Sequence, residues 1–470
     1  MPSHEDRSVL PGIYPPVYSY SYITTVIQQV MPWGHPLVQK VVIHRWECSY
    51  LAKRSREQGW VLVYGRRKTG KTWLLRNCVD WGLYVTVTRS GECIVEDRAG
   101  RRNIGLRECI SMATQGLRKQ GESIIIDEFQ RVPEKYWDLL AIAAHEAERG
   151  LILCGSSLGM ARRVFDERSP LLGFFEAFRV DLASIADTIA SLHGQGLGTR
   201  EAVLWSIIVR DPWVLLHLKP RGEPWKLLAE RAAGLVPAAK GLIGEVFSEE
   251  DRQLSRVYEA VLQLLAQGYW RAADIAAKLY EAGFSTSPQP GVATGVLRVL
   301  EEMGLVERVP LWRTRRARVY YRHRSSSVSL LYSVADYVEE VGETPSPDAL
   351  LARYGVELQF GLGELLAERK GLRRGYSIPR GGRDIDVVLL DRRGRPEWGY
   401  EVEMGHLDTR EAENIAEWIR SLGIPHAGII ALGGIRGDTG RVDEAPDAKA
   451  IVEEAEMLSN TRRKEIDTVE

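Results

Sequence analysis

The chain has 470 residues, 44% hydrophobic and 27% charged, with a formal net charge of −1 at pH 7. That length accommodates roughly three domains with cores of their own. The near-zero balance excludes a globally basic nucleic-acid coat, so any DNA contact must come from a local patch. No run approaches about 18 apolar residues and no basic-then-apolar leader opens the chain, which predicts a cytoplasmic protein without membrane contact. Arginine supplies most of the 62 basic residues, which suits phosphate recognition. The five cysteines, Cys48, Cys78, Cys93, Cys109 and Cys154, are odd in number and lack a CxxC. Reduced buried thiols are therefore expected, not a disulfide framework or a zinc site.

Residues 1–35 are rich in Pro and Tyr without helical periodicity and read as an N-terminal arm. An apolar entry from Val41 then leads into helix-forming residues up to Gly59. The β-branched run Val61-Leu62-Val63-Tyr64 predicts a strand, and Gly65-Arg66-Arg67-Lys68-Thr69-Gly70-Lys71-Thr72 fits G-x-x-x-x-G-K-[ST] at every fixed position. Gly65 and Gly70 let successive N–H groups turn inward onto a phosphate. The helix that follows presents its positive end to the same anion. Lys71 can reach the β- and γ-phosphates, and the Thr72 hydroxyl can ligate Mg²⁺.

Residues 83–88 alternate as a strand, 89–108 read as a loop or short hairpin, and 106–119 as a helix. Ser123-Ile124-Ile125-Ile126 predicts a strand buried on both faces, closing on Asp127-Glu128-Phe129-Gln130. An acidic pair at the C-terminal end of such a strand sits where doubly wound sheets bind ligands. Asp127 is assigned to Mg²⁺ and Glu128 to the attacking water. A helix over 136–149 precedes Leu151-Ile152-Leu153-Cys154-Gly155-Ser156-Ser157, a second buried strand ending in hydroxyls. Residues 36–184 thus form a P-loop core, and 185–250 have the interrupted periodicity of a helical lid.

From Leu254 the pattern changes. Helices over 254–267, 272–282 and 291–303 and two short strands, Gly304–Val309 and Arg318–Arg322, spell a winged helix over 251–342. Its third helix carries Arg298, and Arg313, Arg315, Arg316, Arg318, Arg322 and Arg324 crowd the hairpin as candidate DNA-phosphate contacts. A linker at 343–349 opens a third domain, 350–445, and a charged helix or tail covers 446–470. In that domain Asp386 enters one strand and Glu401 the next, which would gather carboxylates at a second metal site.

The motifs resemble the archaeal AAA+-like ATPase family of the STAND class, over roughly residues 36–330. The resemblance rests on GRRKTGKT and IIIDEFQ, and on Ile43, Arg45 and Glu47, which stand where relatives border the adenine. It implies an AAA+-like parallel sheet with a helical lid, bound ATP and Mg²⁺, and slow hydrolysis that switches the winged helix. It makes 151–157 the sensor strand, with Ser156, or next Ser157, reading the γ-phosphate. Relatives carry Arg after the Gly of the following small loop. Here Phe174 stands there, leaving Arg162, Arg163 and Arg179 as finger candidates. A family GGxP stretch near the base is Arg210-Asp211-Pro212-Trp213 here, which keeps the Pro and lacks both Gly.

The third domain resembles the PD-(D/E)xK nuclease fold, a small α/β unit. Asp386 and Glu401 match its acids, and Glu357 or Glu364 would supply the helical carboxylate. Glu403 stands in place of the lysine, whose positive charge it cannot replace. Two functions follow: an ATP-hydrolysing switch on double-stranded DNA, or a regulatory ATPase that binds a protein partner and carries an inactive nuclease-like domain. Oligomerisation is open in either.

Overall fold

The computed structural model describes residues 41–250, 252–312, 319–377 and 384–468. The first segments are α1 (Glu47–Arg56), β1 (Trp60–Tyr64), α2 (Lys71–Cys78), β2 (Trp81–Val87), β3 (Glu92–Asp97), β4 (Gly100–Gly105), α3 (Leu106–Leu117), β5 (Ser123–Asp127), α4 (Trp137–Ala144), β6 (Leu151–Gly155), α5 (Leu158–Val164) and β7 (Glu176–Arg179). Their strands form one sheet in the order β4-β3-β2-β5-β6-β1-β7. It is parallel from β2 through β7, with the β3–β4 hairpin added antiparallel. The apolar runs make this arrangement self-consistent. Leu62, Ile124, Ile126 and Leu153 fill one layer, while Val61, Val63, Ile125, Ile152 and Cys154 fill the other. A strand buried on both faces must be apolar throughout. Strand β6 separates β1 from β5, so the turns after these three strands open side by side.

Four of the next elements are α6 (Ile185–Gly194), α7 (Thr199–Val209), a 3₁₀ turn over Pro212–Leu216 and α8 (Pro224–Glu249). Then come α9 (Arg256–Ala266), α10 (Ala272–Glu281), α11 (Pro290–Glu302), β8 (Val306–Trp312), β9 (Val319–His323), α12 (Ser326–Ser333) and α13 (Ala335–Val341). The last group is α14 (Pro347–Lys370), β10 (Arg373–Ser377), β11 (Ile385–Leu390), β12 (Pro396–Glu403), β13 (Leu407–Asp408), α15 (Thr409–Ser421), β14 (His426–Ala431), β15 (Ile435–Arg436) and α16 (Ala448–Thr468). A second sheet runs β14-β12-β11-β10-β8-β9. The β8–β9 hairpin is therefore not free-standing, because β10 pairs parallel with β8 through Tyr376–Leu311 and Ser377–Trp312.

Four readings of the sequence need correction. Arg322 and Arg324 do not face phosphates. Arg322 is buried and paired with Glu307 and Glu357, and Arg324 bonds Glu307 at 3.0 Å and Glu364 at 3.2 Å. Glu357 and Glu364 are consequently ion-pair partners, not metal carboxylates: Glu357 also accepts from Ser329 and Arg353, and Glu364 takes both Arg210 nitrogens at 2.6 and 2.9 Å. The 446–470 segment is no free tail. Ile451, Val452 and Ala455 of α16 join the apolar core that α6–α8 help to build, and Ser459 donates to Asp187 at 2.6 Å. Finally, Cys48 and Cys78 form a disulfide, because α1 and α2 lie against one face of the sheet and bring their Cα atoms to 5.2 Å. Cys93, Cys109 and Cys154 are buried free thiols.

Glu307 is the hub of the ion-pair network, shared by Arg322, Arg324 and Arg374. Burial pushes its carboxyl up, but Arg374, Arg324 and Arg322 override this and hold it at about 2. A depressed folded-state pKa stabilises above the ordinary carboxylate value and stops doing so as pH falls through about 2. Glu307→Gln is expected to cost about 3 kcal/mol at pH 7, since it leaves buried guanidiniums short of a counter-charge. Urea unfolding across pH should show that gap narrowing between about 4.5 and 2; a gap independent of pH would contradict the assignment.

Candidate active site

The loop after β1 is held by its own geometry. Gly65 has φ +149° and Gly70 φ +94°, and a Cβ on Gly65 would lie 2.0 Å from the Val180 carbonyl oxygen. Lys68 also adopts a left-handed backbone, φ +61°. Thr69 Oγ1 donates to the Arg66 carbonyl at 2.9 Å, and Lys71 Nζ donates to the carbonyls of Gly65 and Arg66 at 2.8 Å each. Burial lowers the Lys71 pKa. The loop is braced from outside by Arg45, which pairs with Glu47 and donates to Thr69 O at 2.7 Å and Asp181 O at 2.9 Å. Asp211 takes Arg66 at 2.6 Å, and Pro212 lies 3.8 Å from where a Gly70 Cβ would stand. Arg210-Asp211-Pro212-Trp213 thus reaches the loop although both family glycines are missing.

At the end of β5, Asp127 is buried and its Oδ2 accepts from Thr72 Oγ1 and Tyr84 OH, both at 2.8 Å. Strand order places these residues together: β2 lies beside β5 with Thr86 opposite Asp127. Glu128 sits in a left-handed conformation, φ +61° and ψ +37°, an uncommon backbone for a non-glycine residue that clusters at functional sites. Its carboxylate meets Gln130 Nε2 at 2.7 Å and Arg131 at 2.9 Å. Burial raises the Glu128 pKa, with Arg131 opposing.

Ser156 and Ser157 part company at the end of β6. Ser156 Oγ faces the site, with Gln130 Nε2 at 3.1 Å, whereas Ser157 caps α5 by accepting from Met160 N. Arg162 and Arg163 are paired with Glu302 and Glu134, and exposed Arg179 lies against Gly304. Sequence reasoning missed Tyr84, Gln130, Asp211 and the acidic end of α8. Glu249 accepts from Ser156, Gln130 and Arg67 at 2.8 to 2.9 Å. The run Ser248-Glu249-Glu250 at a helix end is a weak signal, and nothing local ties it to residues 93 to 182 positions earlier.

Elsewhere, Asp386 Oδ2 accepts from Val402 N at 2.8 Å; burial raises its pKa to about 6, and Glu401 hydrogen-bonds to it. Glu401 is buried and Glu403 exposed. Among the described residues no group of three or more His, Cys, Asp or Glu is arranged to hold a metal ion. Arg298 is exposed on α11, while Arg313, Arg315, Arg316 and Arg318 lie outside the described residues. No described helix is long and apolar enough to cross a membrane.

Residues 57–174 match the family model described as an AAA domain. No curated protein matches the chain in sequence. Among solved structures, the Walker-type ATPase PABY2304 of Pyrococcus abyssi is 17% identical with a TM-score of 0.43, over 62% of this chain and 96% of that one. The Aeropyrum pernix ORC1 protein in complex with DNA is 14% identical with a TM-score of 0.30, over 64% and 95%. The Thermotoga maritima RuvB Holliday junction branch migration motor is 14% identical with a TM-score of 0.28, over 64% and 94%. Over residues 57–174 the family match and the site geometry agree on an AAA-type P-loop domain.

The two loop glycines should differ in cost. Gly65→Ala drives a Cβ into the Val180 carbonyl and is expected to lose about 3 kcal/mol or more. Gly70→Ala meets nothing nearer than 3.8 Å and should lose only about 1 kcal/mol from its left-handed φ. Denaturant unfolding of both variants measures this directly; equal losses would argue against the geometry.

Proposed function

We propose that this AAA+-like ATPase chain binds and hydrolyses Mg²⁺-ATP and works as a nucleotide-dependent switch on double-stranded DNA. The observation that carries the reading is the meeting of Thr72 Oγ1 and Asp127 Oδ2 at 2.8 Å beside the Lys71 ammonium. Two hard oxygen donors, one hydroxyl and one carboxylate, fit Mg²⁺ next to a phosphate-binding loop. Bound Mg²⁺ would supply charge neutralisation at the phosphates. Lys71 leaves the carbonyls of Gly65 and Arg66 to hold the β- and γ-phosphates, and the amides of the loop cradle them. Water attacks the γ-phosphorus in line, the bond to the bridging oxygen breaks, and Glu128 accepts the water proton. Gln130 and Arg131 position that carboxylate, and Ser156 reads the γ-phosphate.

The DNA reading is supported by three helices followed by the β8–β9 hairpin, the order of a winged helix, with Arg298 exposed on the third helix. Between the end of β8 and the start of β9 the sequence carries Arg313, Arg315, Arg316 and Arg318. The C-terminal unit is read as nuclease-like from α14, the β10–β12 meander and the α15 crossover to β14 parallel to β12. Without the lysine that Glu403 replaces, it serves binding, not cleavage. A second reading, a switch that engages a protein partner, is favoured by the inward pairing of Arg322 and Arg324, which halves neither the fold nor the switch but removes two basic groups from the hairpin surface.

Steady-state hydrolysis with Mg²⁺ tests the first claim. Lys71→Ala and Glu128→Gln are each expected to lower kcat at least about a hundredfold, the scale of removing a general base or a transition-state charge. Double-stranded DNA should stimulate the wild type; indifference to DNA would move the reading to the protein partner. In DNA binding, Arg315→Ala with Arg316→Ala should reduce the slope of log affinity against log salt by about two, and an unchanged slope would remove the hairpin from the interface.

A further inference from the structure

Resting on the nucleotide reading above, we infer that the Glu249 carboxylate occupies the γ-phosphate subsite in cis, so that helix α8 and a nucleoside triphosphate compete for one set of donors. The donors all belong to the core, and the carboxylate does not. Ser156 Oγ from the end of β6, Gln130 Nε2 from the turn after β5 and Arg67 from the phosphate loop reach Glu249 at 2.9, 2.8 and 2.8 Å. Arg131, the partner of Glu128, stands 3.9 Å away. Hydroxyl, amide and guanidinium converging on one anion beside a phosphate loop describe a phosphoryl site. Here the anion is a side chain, only 10% exposed.

The whole last turn of α8 is fastened in this way. Glu245 takes Arg67 Nε at 2.7 Å and lies 3.7 Å from Lys68. Glu250 accepts the amides of Leu158 and Gly159 at the start of α5, at 2.5 and 2.9 Å. Meanwhile Lys71 is folded back on the carbonyls of its own loop. A γ-phosphate brings more charge and a third oxygen to the same donors, so it displaces Glu249. A nucleoside diphosphate lacks that group and leaves the latch closed. Only this difference in affinity can move the helix. Because α9 begins at Arg256 and α11 touches α5 through Arg162–Glu302, release of α8 passes the nucleotide state to α9–α11.

The test is binding of ADP and of a non-hydrolysable ATP analogue to the full chain in Mg²⁺ by calorimetry, for the wild type, Glu249→Gln and Glu249→Ala. The isosteric Gln variant guards against misfolding. If the latch is closed in about 90% of molecules, Glu249→Ala tightens the triphosphate Kd about tenfold while ADP changes less than about twofold. Equal shifts for both nucleotides, or none, overturn the latch and leave the phosphate loop standing. Failure of the wild type to bind either nucleotide overturns the nucleotide reading itself. Hydrogen exchange gives a second readout: the Leu158 and Gly159 amides should lose protection with the analogue but not with ADP, and protection retained in both would overturn the proposal.

Discussion

Two neighbouring residues, Arg210 and Asp211, carry the constraint on which the arrangement of the molecule depends. Asp211 holds Arg66 of the phosphate loop, and Arg210 holds Glu364 of α14 with both terminal nitrogens. From Glu364 the pairing continues through Arg324 to Glu307, then to Arg374 and Arg322, and from Arg322 to Glu357. Charges taken out of water must be paired, and removing one member strands the others. The chain of pairs therefore sets the phosphate loop, the turn after α7 and the C-terminal sheet in one mutual register. Apolar packing alone is non-directional and would tolerate sliding between these parts. Close contact reinforces the pairs: Gly361 lets α14 approach α7 where a Cβ would stand 2.4 Å from Ile207.

That register gives the site its character. The side chains of the phosphate loop are held in place, with Lys71 and Thr69 bonded to its own carbonyls and Arg66 to Asp211. A loop whose side-chain donors are engaged in this way opens only for a ligand that replaces those bonds with better ones. The left-handed backbone of Glu128 points the same way: a local conformation of sparse population is held in place by its partners. Nucleotide arrival would exchange protein anions for phosphate oxygens, and the elements holding those anions would be released.

The boundaries between parts are less sharp than composition suggests. The β8–β9 hairpin reads as the wing of a compact helical unit, yet β10 extends it into the C-terminal sheet. Likewise α16, a run dominated by charged residues, returns to α6 and buries Ile451, Val452 and Ala455. An amphipathic helix needs only a narrow apolar stripe to dock, and that stripe is hard to recognise without its partner surface.

What the sequence by itself determined is local. The phosphate loop, the buried strands before Asp127 and Ser156, the helical character of 185–250 and the three helices after Leu254 were all legible, because each is encoded by spacing within a window of about ten residues. Only the tertiary structure decided which charges face inward. Arg322, Arg324, Glu357 and Glu364 look in sequence like a phosphate grip and metal ligands, since a charge cluster carries no label for the side of a strand or helix that meets another element. Apart from Arg353, four residues before Glu357, their partners lie 15 to 154 residues away. The same holds for Glu249 at the phosphate site and for the Cys48–Cys78 bridge. Burial and pairing are properties of two surfaces meeting, and that meeting is set by sheet order and helix packing, not by nearest neighbours along the chain.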